Sequence, residues 1–317
     1  MTGESREDRT AHPTSPEPRA HHFVPQCWLL GFTETGHKSG RLSVTDLKRR
    51  KQWPSTPAES GHRRDFYRLS APQPDPVLVE KILSKIEDGI APLLKALDDE
   101  QRGPNEDELE GLLGFMAIQW VRVPAFRPTI LRIADSIHRA KFSEYLRSPE
   151  SWARMLKESD ISAGSPGADY EQMREFERSG EYSLSAETEW YLLRAFEGAK
   201  TIIPLLMARH WGVSISRKGS FIGSDNPVVL DGPKGGMVGF KNAEVVVYPV
   251  SRHILLYGTK QVERSPFVNQ MYIARQNTFM MLTAEEQVFS STPKFCWLDE
   301  TDGYQTDWRL FSKEKFL

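Results

Sequence analysis

The hydrophobic pattern of this chain changes its period once, and that change constrains the fold more than any other feature. Between residues 76 and 210, apolar side chains recur at helical spacing, as in Val79, Leu83 and Ile86. From Trp211 onward, short apolar runs alternate in the manner of strands and are separated by turn residues. Helices grouped before strands, rather than alternating with them, indicate an α+β fold.

The middle of the chain is predicted to form a helical bundle. Its first helix is predicted from Pro76, whose ring presets the first helical turn, and Pro92 should kink or divide it. The second begins after Asn105, a good N-cap followed by acidic residues, and ends before Pro124. Further helices are predicted at residues 129–146 and 186–210, with a loop at 159–169.

The predicted β structure consists of a short N-terminal hairpin and a mostly antiparallel C-terminal sheet. We expect the hairpin to pair residues 42–45 with 65–69, with residues 48–60 as a loop between them. A short helix at 269–276 and a strand at 279–282 are predicted within the sheet region. The chain lacks βαβ alternation and a glycine-rich phosphate loop, which argues against a nucleotide-binding α/β sheet.

Composition narrows the class of protein. Residues 1–20 are polar and are expected to be disordered, and residues 21–317 are predicted to form a single domain, helical at about 76–210 and β-rich at about 211–290. The 41 basic and 43 acidic residues leave a net charge of −2, which excludes a global basic field for nucleic acid. No apolar run reaches the roughly 18 residues of a membrane helix, and no secretory signal precedes the domain, so we expect a cytoplasmic protein.

Two adjacent histidines, His21 and His22, open the predicted domain and are followed by Gln26. Imidazole suits proton transfer near neutral pH, so one ring could act as a general base. A similar HHxxP pattern begins the nuclease ββα-metal motif, but the histidines that this motif needs downstream are not at its spacing here. The alternative is that the pair orders the start of the fold without chemistry.

Two acidic side chains, Glu80 and Glu87, lie seven residues apart in the first predicted helix. This spacing places both carboxylates on one helix face, two turns apart. They could hold a divalent cation or act as acid and base. A solvated charged face is the alternative, because Lys81, Lys85 and Asp88 share the helix.

Two other polar groups lie in strongly apolar surroundings. Gln119 and Arg122 are one turn apart in the most hydrophobic helix, where a buried polar group needs partners. They belong either to an internal network that includes Asp65 or Glu80, or to an anchor for a carboxylate or phosphate. Ser224, Asp225 and Asn226 stand between two apolar runs, and they form either a structural turn or a set of groups that projects into a cleft.

Taken together, these residues resemble the family catalogued as domain of unknown function 4238. The likeness runs from about His21 to Ser290 and keeps the family's order, although Cys27-Trp28 stands where the family more often has an aromatic pair. It is carried by the following stretches: HHFVPQ at 21–26, RDFY at 64–67, Glu80 and Glu87, QWVRVP at 119–124, and SDNPV at 224–228. The resemblance implies no activity. It implies that polar residues distant in sequence occur together, which is expected of one site.

Three functional hypotheses follow. The first is a hydrolase, a metal-dependent nuclease or phosphodiesterase with a histidine base, which acts on nucleic acid or a nucleotide. The second is an aminoacyl-tRNA-dependent group-transfer enzyme of the cyclodipeptide-synthase kind. The third is a non-catalytic protein that binds a ligand or nucleic acid. None of the three involves a membrane.

The candidate site follows from the first hypothesis. The candidate catalytic residues are His21, His22, Asp65, Glu80, Glu87, Arg122 and Asp225. The candidate substrate-binding residues are Gln26, Arg64, Gln119, Ser224 and Asn226. A bound Mg²⁺ or Mn²⁺ ion would be held by Glu80 and Glu87, because no cysteine cluster or third histidine is at hand for zinc. These side chains are expected to line one cavity.

Overall fold

The α+β organisation is confirmed in the computed structural model, which describes residues 19–69, 75–162, 164–182, 188–218, 220–233, 238–262 and 266–316. The predicted disordered arm lies outside these residues except for Arg19 and Ala20, and Ala20 begins the first strand. The helices are α1 Gln26–Leu29, α2 Leu78–Glu100, α3 Glu106–Arg122, α4 Phe126–Tyr145, α5 Pro149–Glu158, α6 Tyr170–Ser179, α7 Thr188–Met207 and α8 Gln270–Thr283. The strands are β1 Ala20–His22, β2 Leu42–Asp46, β3 Lys51–Ser55, β4 His62–Arg64, β5 His210–Ile215, β6 Gly223–Ser224, β7 Val229–Asp231, β8 Val245–Pro249, β9 Ile254–Thr259, β10 Gln287–Ser290, β11 Trp297–Leu298 and β12 Tyr304–Gln305.

The long helices begin and end close to the positions that the sequence predicts. The N-cap prediction for α3 is confirmed, because the Asn105 side chain accepts from the backbone N–H of Glu108 and the Glu108 carboxylate accepts from that of Asn105. Helix α2 continues through Pro92 and is not divided there. Leu94 and Leu97, beyond the proline, are buried, so core packing favours continuing the helix. The short helices α5 and α6 were not predicted.

The N-terminal hairpin exists, but its predicted pairing is wrong. Strand β2 pairs with β3, which lies inside the segment predicted as a loop, and β4 pairs with β1 instead. Pro54 is tolerated in β3 because that strand lies at the edge of its sheet. Residues 65–69 do not form a strand, since Asp65 adopts a φ of 54° and turns the chain.

Two antiparallel four-stranded sheets contain most of the β structure, in the orders β3-β2-β10-β6 and β5-β9-β8-β7. Strand β10 lies between β2 and β6, so the N-terminal hairpin and the C-terminal part share one sheet. The predicted strand at 279–282 is wrong, because α8 continues to Thr283. Met280 and Met281 are both buried, and a short apolar run buried on all sides does not distinguish helix from strand.

Two apolar cores hold these layers together. The larger one packs α1, α2, α3 and α7 against the inner face of β8 and β9, with Trp28, Leu97 and Met116 fully buried. The smaller one lies between the sheets, α8 and the C-terminal segment. None of the described helices is long and apolar enough to cross a membrane. The larger core places the end of α3 beside β1, where the predicted polar residues meet.

Candidate functional site

The buried guanidinium of Arg122, at the end of α3, is the centre of the polar cluster. Its side chain is only 3% exposed. One terminal nitrogen, Nη1, donates to Glu87 Oε1 of α2 at 2.9 Å, and Nη2 donates to the carbonyl oxygen of His22 in β1. A buried cation is tolerated only with such partners, so Arg122 ties β1, α2 and α3 together. We call Arg122, Glu80, Glu87, His22 and Tyr67 the arginine junction.

Tyr67 completes the arginine junction from the turn that follows β4. Its hydroxyl donates to the carbonyl oxygen of Arg122 at 2.7 Å, and its backbone N–H donates to Nδ1 of His21 at 2.9 Å. The two rings also stack, with centroids 6.1 Å apart. Tyr67 was not among the predicted site residues, although it closes the RDFY stretch. The sequence held no signal that singles out Tyr67, because its burial follows from the tertiary fold.

His22 is held as a neutral imidazole. Its Nε2 donates to the carbonyl oxygen of Ala58 at 3.2 Å, and its Nδ1 accepts from the side-chain amide of Gln26 at 3.4 Å. Burial lowers the pKa of His22 to about 4, and the charges of His62 and Arg122 act in the same direction. The ring is therefore uncharged at neutral pH, and both of its nitrogens are engaged.

Glu80, in the first turn of α2, has the opposite shift. Burial raises the pKa of its carboxyl to about 7, and the charge of Glu87 adds to the rise while Arg122 opposes it. The backbone N–H of His22 hydrogen-bonds to this carboxylate. Its Oε2 is buried and has no hydrogen-bond partner among the described residues. Glu80 is thus a carboxyl group that gains and loses a proton near neutral pH and has one oxygen unengaged.

A cleft of about 370 Å³ opens above the arginine junction. Glu87 and Gln26, the partners of Arg122 and His22, belong to its lining. Burial raises the pKa of the Cys27 thiol in the same lining to about 12, so this thiol is not a nucleophile at neutral pH. The other lining residues are Leu30, Lys38, Pro57, Ala58, Ser84, Asp88 and Ala91.

The arginine junction does not fit the predicted Mg²⁺ or Mn²⁺ site. Within the described parts of the chain, no three His, Cys, Asp or Glu side chains are grouped so that they could hold a metal ion. Glu87 is instead paired with Arg122, whose charge also acts on Glu80. Glu87, one of the two proposed metal ligands, is therefore already engaged by a guanidinium.

Two predicted residues lie at the edge of this region. Asp65 pairs with Arg19 at 2.6 Å, and the 71% exposed side chain of Arg64 lies 3.5 Å from it. The predicted network of Arg122 therefore includes Glu80 but not this outer ion pair. Gln119 is fully buried, and neither polar atom of its side chain has a hydrogen-bond partner among the described residues.

The Ser224-Asp225-Asn226 segment forms the structural turn that was one of the two alternatives. The Asp225 carboxylate accepts backbone N–H groups of Glu285, Glu286 and Gln287 at 2.7, 2.8 and 2.9 Å. Ser224 Oγ donates to the carbonyl oxygen of Asn226 at 2.8 Å. None of the three lines the 370 Å³ cleft, and Asn226 lines a separate cavity of about 100 Å³ beside Trp120. Of the predicted site residues, only Gln26 and Glu87 line the 370 Å³ cleft. The residues expected to share one cavity do not line it: His21, His22, Glu80, Gln119, Arg122 and Asp225.

Fold and site together define an α+β protein with a buried arginine junction beneath a polar cleft. The family model described as "Protein of unknown function (DUF4238)" matches residues 20–294, and the chain belongs to this family. The resemblance drawn from the sequence motifs is confirmed. Comparison with curated proteins gives no match, and comparison with solved structures gives none either.

Proposed function

We propose that this protein is a hydrolase that works by metal-free acid–base chemistry at Glu80. The observation that carries the proposal is the state of this carboxyl group, whose pKa is raised to about 7 and whose buried Oε2 has no partner among the described residues. A group that titrates near the working pH is the most effective proton carrier in a transition state. We place the protein in the cytoplasm.

In this proposal the general base is Glu80 and not His21 or His22. A general base needs an unengaged lone pair and a pKa near the working pH, and His22 has neither, since its pKa is about 4 and both ring nitrogens are bonded. His22 is instead a positioning residue, because its backbone N–H contacts Glu80 and its carbonyl oxygen holds Arg122. Glu80 belongs to the arginine junction beneath the cleft and not to the cleft lining, so the attacking water would have to reach the junction from the cleft. The ionised Glu80 would accept a proton from that water and return it to the leaving oxygen.

We propose a phosphodiester, in nucleic acid or a nucleotide, as the substrate. Arg122 is too buried to meet a substrate phosphate directly. Lys38 lines the cleft, and Arg63 and Arg64 of β4 are exposed, so we propose that these three cations offset such a charge. A protein of net charge −2 needs such a local group of basic side chains in order to bind a phosphodiester.

The test uses bis(4-nitrophenyl) phosphate and labelled single-stranded DNA and RNA, each assayed in excess EDTA. We expect turnover that survives the chelator, with a rate that rises through a pKa near 7 as Glu80 ionises. Glu80→Gln should lower kcat at least about a hundredfold. Glu110→Gln, at an exposed position of α3, is the matched control and should be active. Turnover that Glu80→Gln leaves intact would exclude Glu80 as the base.

A non-catalytic binding protein is the second candidate, and one observation favours it. The cleft of about 370 Å³ has Lys38 and Gln26 in its lining, whereas Glu80, the proposed base, lies outside that lining, and this arrangement suits binding without turnover. Tight binding of an oligonucleotide without turnover would favour this candidate. Transfer RNA that copurifies with the protein would favour the aminoacyl-tRNA-dependent transferase instead.

A further inference from the structure

A second cavity, of about 310 Å³, lies in the C-terminal β structure and shares no lining residue with the cleft above the arginine junction. The first wall comes from the segment before β6, the second from the end of β10 and the segment after it, and the third from the segment around β12. In that order, the described lining residues are Lys218, Ser220, Phe221 and Ile222, then Ser290, Ser291, Thr292, Lys294, Phe295 and Cys296, then Tyr304 and Thr306. We call it the Lys218–Lys294 cavity. Its volume falls at the lower end of the range for small-ligand pockets.

The charge of this cavity is uniformly positive. Lys218 and Lys294 both line it, and neither forms an ion pair with another described residue. No aspartate or glutamate is among the described lining residues. Two lysines without a neighbouring carboxylate give this concave surface a positive potential. The cavity therefore favours an anionic occupant.

Hydroxyl groups supply donors beside the lysines. Ser220 and Thr306 line the cavity, and their hydroxyls make no hydrogen bond to another described residue. The hydroxyls of Ser290 and Thr292 behave differently, because each donates to a carbonyl oxygen of its own loop at 2.7 Å. The first pair is thus free to donate to a ligand oxygen, while the second pair shapes the loop.

Hydrogen bonds from Asn277 and Gln52 fix the first two walls of the cavity. Asn277 of α8 is 1% exposed and donates to the carbonyl oxygens of Ser220 at 3.0 Å and Cys296 at 2.9 Å, which joins the first two walls. It also accepts the backbone N–H of Ile222 at 3.1 Å. Gln52 of β3 donates to the carbonyl oxygen of Pro293 at 2.8 Å. A preorganised pocket loses little conformational entropy on binding.

We propose that the Lys218–Lys294 cavity binds a phosphate-bearing small molecule with a flat ring, of the nucleoside monophosphate class. The two lysines and the hydroxyls of Ser220 and Thr306 take the phosphate. The side of Tyr304, which is 43% exposed, provides a surface for the ring. This site goes beyond the proposed hydrolase and does not depend on it.

The test is titration calorimetry with AMP, inorganic phosphate and adenosine at constant ionic strength. We expect AMP to bind more tightly than phosphate, and adenosine to bind weakest. Lys218→Gln and Lys294→Gln should each weaken AMP binding about tenfold, the loss expected for one charge-assisted hydrogen bond. Lys200→Gln, at an exposed position of α7, is the matched control and should bind AMP as the wild type does.

Several results would overturn the proposal. If adenosine binds as tightly as AMP, the phosphate group does not contribute to binding. If inorganic phosphate binds as tightly as AMP, the ring does not contribute. Absence of binding up to roughly 10 mM AMP, an affinity weaker than about 3 kcal/mol, would exclude the site. If Glu80→Gln abolishes AMP binding and both lysine variants retain it, AMP binds in the cleft above the arginine junction and not in the Lys218–Lys294 cavity.

Discussion

The arginine junction and the Asp225 turn both contain buried charged side chains, but they differ in how many of the buried polar atoms have hydrogen-bond partners. Asp225 accepts three backbone N–H groups, and its carboxylate oxygens both have partners. At the arginine junction, Nε of Arg122 and Oε2 of Glu80 are buried without a partner among the described residues. Burial without a partner costs free energy, so the arginine junction keeps bonding capacity that the Asp225 turn has already used.

This difference distinguishes a structural carboxylate, Asp225, from a candidate functional site, the arginine junction. A fully bonded carboxylate holds two chain segments at a fixed distance, and the loop before β10 needs that restraint to reach its sheet. A partly bonded cluster next to a cleft can still exchange protons or accept a ligand. The two regions should therefore respond differently to substitution, as the following predictions state.

The largest effect is expected for Arg122→Met. It should lower the free energy of unfolding by about 3–5 kcal/mol, because it leaves the mostly buried Glu87 carboxylate without its cation. Urea unfolding measures the loss. The double variant Arg122→Met/Glu87→Gln should recover part of it. Arg194→Met, which breaks an exposed pair with Glu197, should change stability by less than about 0.5 kcal/mol, and an equal effect of both arginine variants would contradict the central role of Arg122.

Asp225→Asn should cost about 2–3 kcal/mol, because the amide nitrogen faces N–H donors that the carboxylate now satisfies. Thermal and urea unfolding measure this loss. The folded variant should retain the kcat of the wild type, since both carboxylate oxygens of Asp225 are already engaged by backbone N–H groups. If the Asp225→Asn variant folds but is inactive, Asp225 belongs to the functional site, and the proposed difference between the two regions is wrong.

Glu80→Gln should stabilise the protein at alkaline pH while it abolishes activity. The pKa of the folded Glu80 carboxyl is raised from 4.5 to about 7, so its favourable contribution is present below pH 4.5 and is lost as the pH rises through 7. Allowing for solvent screening of a partly exposed carboxyl, we expect a gain of about 1 kcal/mol over the wild type at pH 8 and little difference at pH 5. Stability curves at the two pH values measure it, and a loss at pH 8 would show that ionised Glu80 supports the fold.

The smallest effect concerns His22. Its folded pKa is lowered from 6.5 to about 4, so the wild type loses stability as the pH falls from 6.5 towards 4. His22→Gln removes this titration, while its amide can still donate to the Ala58 carbonyl oxygen. Between pH 7.5 and 6, the wild type should therefore lose more stability than the variant does, by less than about 1 kcal/mol after solvent screening of the partly exposed ring. Equal losses in calorimetric melts at the two pH values would show that His22 is protonated in the fold.

Sequence alone predicts the fold class and the long helices because both depend on local patterns. The capping box at Asn105 and the helical spacing in α2 are properties of neighbouring residues. The strand partners were harder to predict. Pro54 made β3 look like a loop, and only the tertiary fold shows that β3 is an edge strand next to β2.

The candidate site divides in the same way. The sequence motifs contain His22, Glu80 and Arg122, which the fold brings together in the arginine junction. The raised pKa of Glu80 and the lowered pKa of His22 follow from the burial that the fold imposes on them. Arg122 meets the His22 carbonyl across 100 residues, and Asp225 meets Glu286 across 61. Whether a buried charge is fully bonded depends on such distant partners, and for that reason only the tertiary structure could separate the arginine junction from the Asp225 turn.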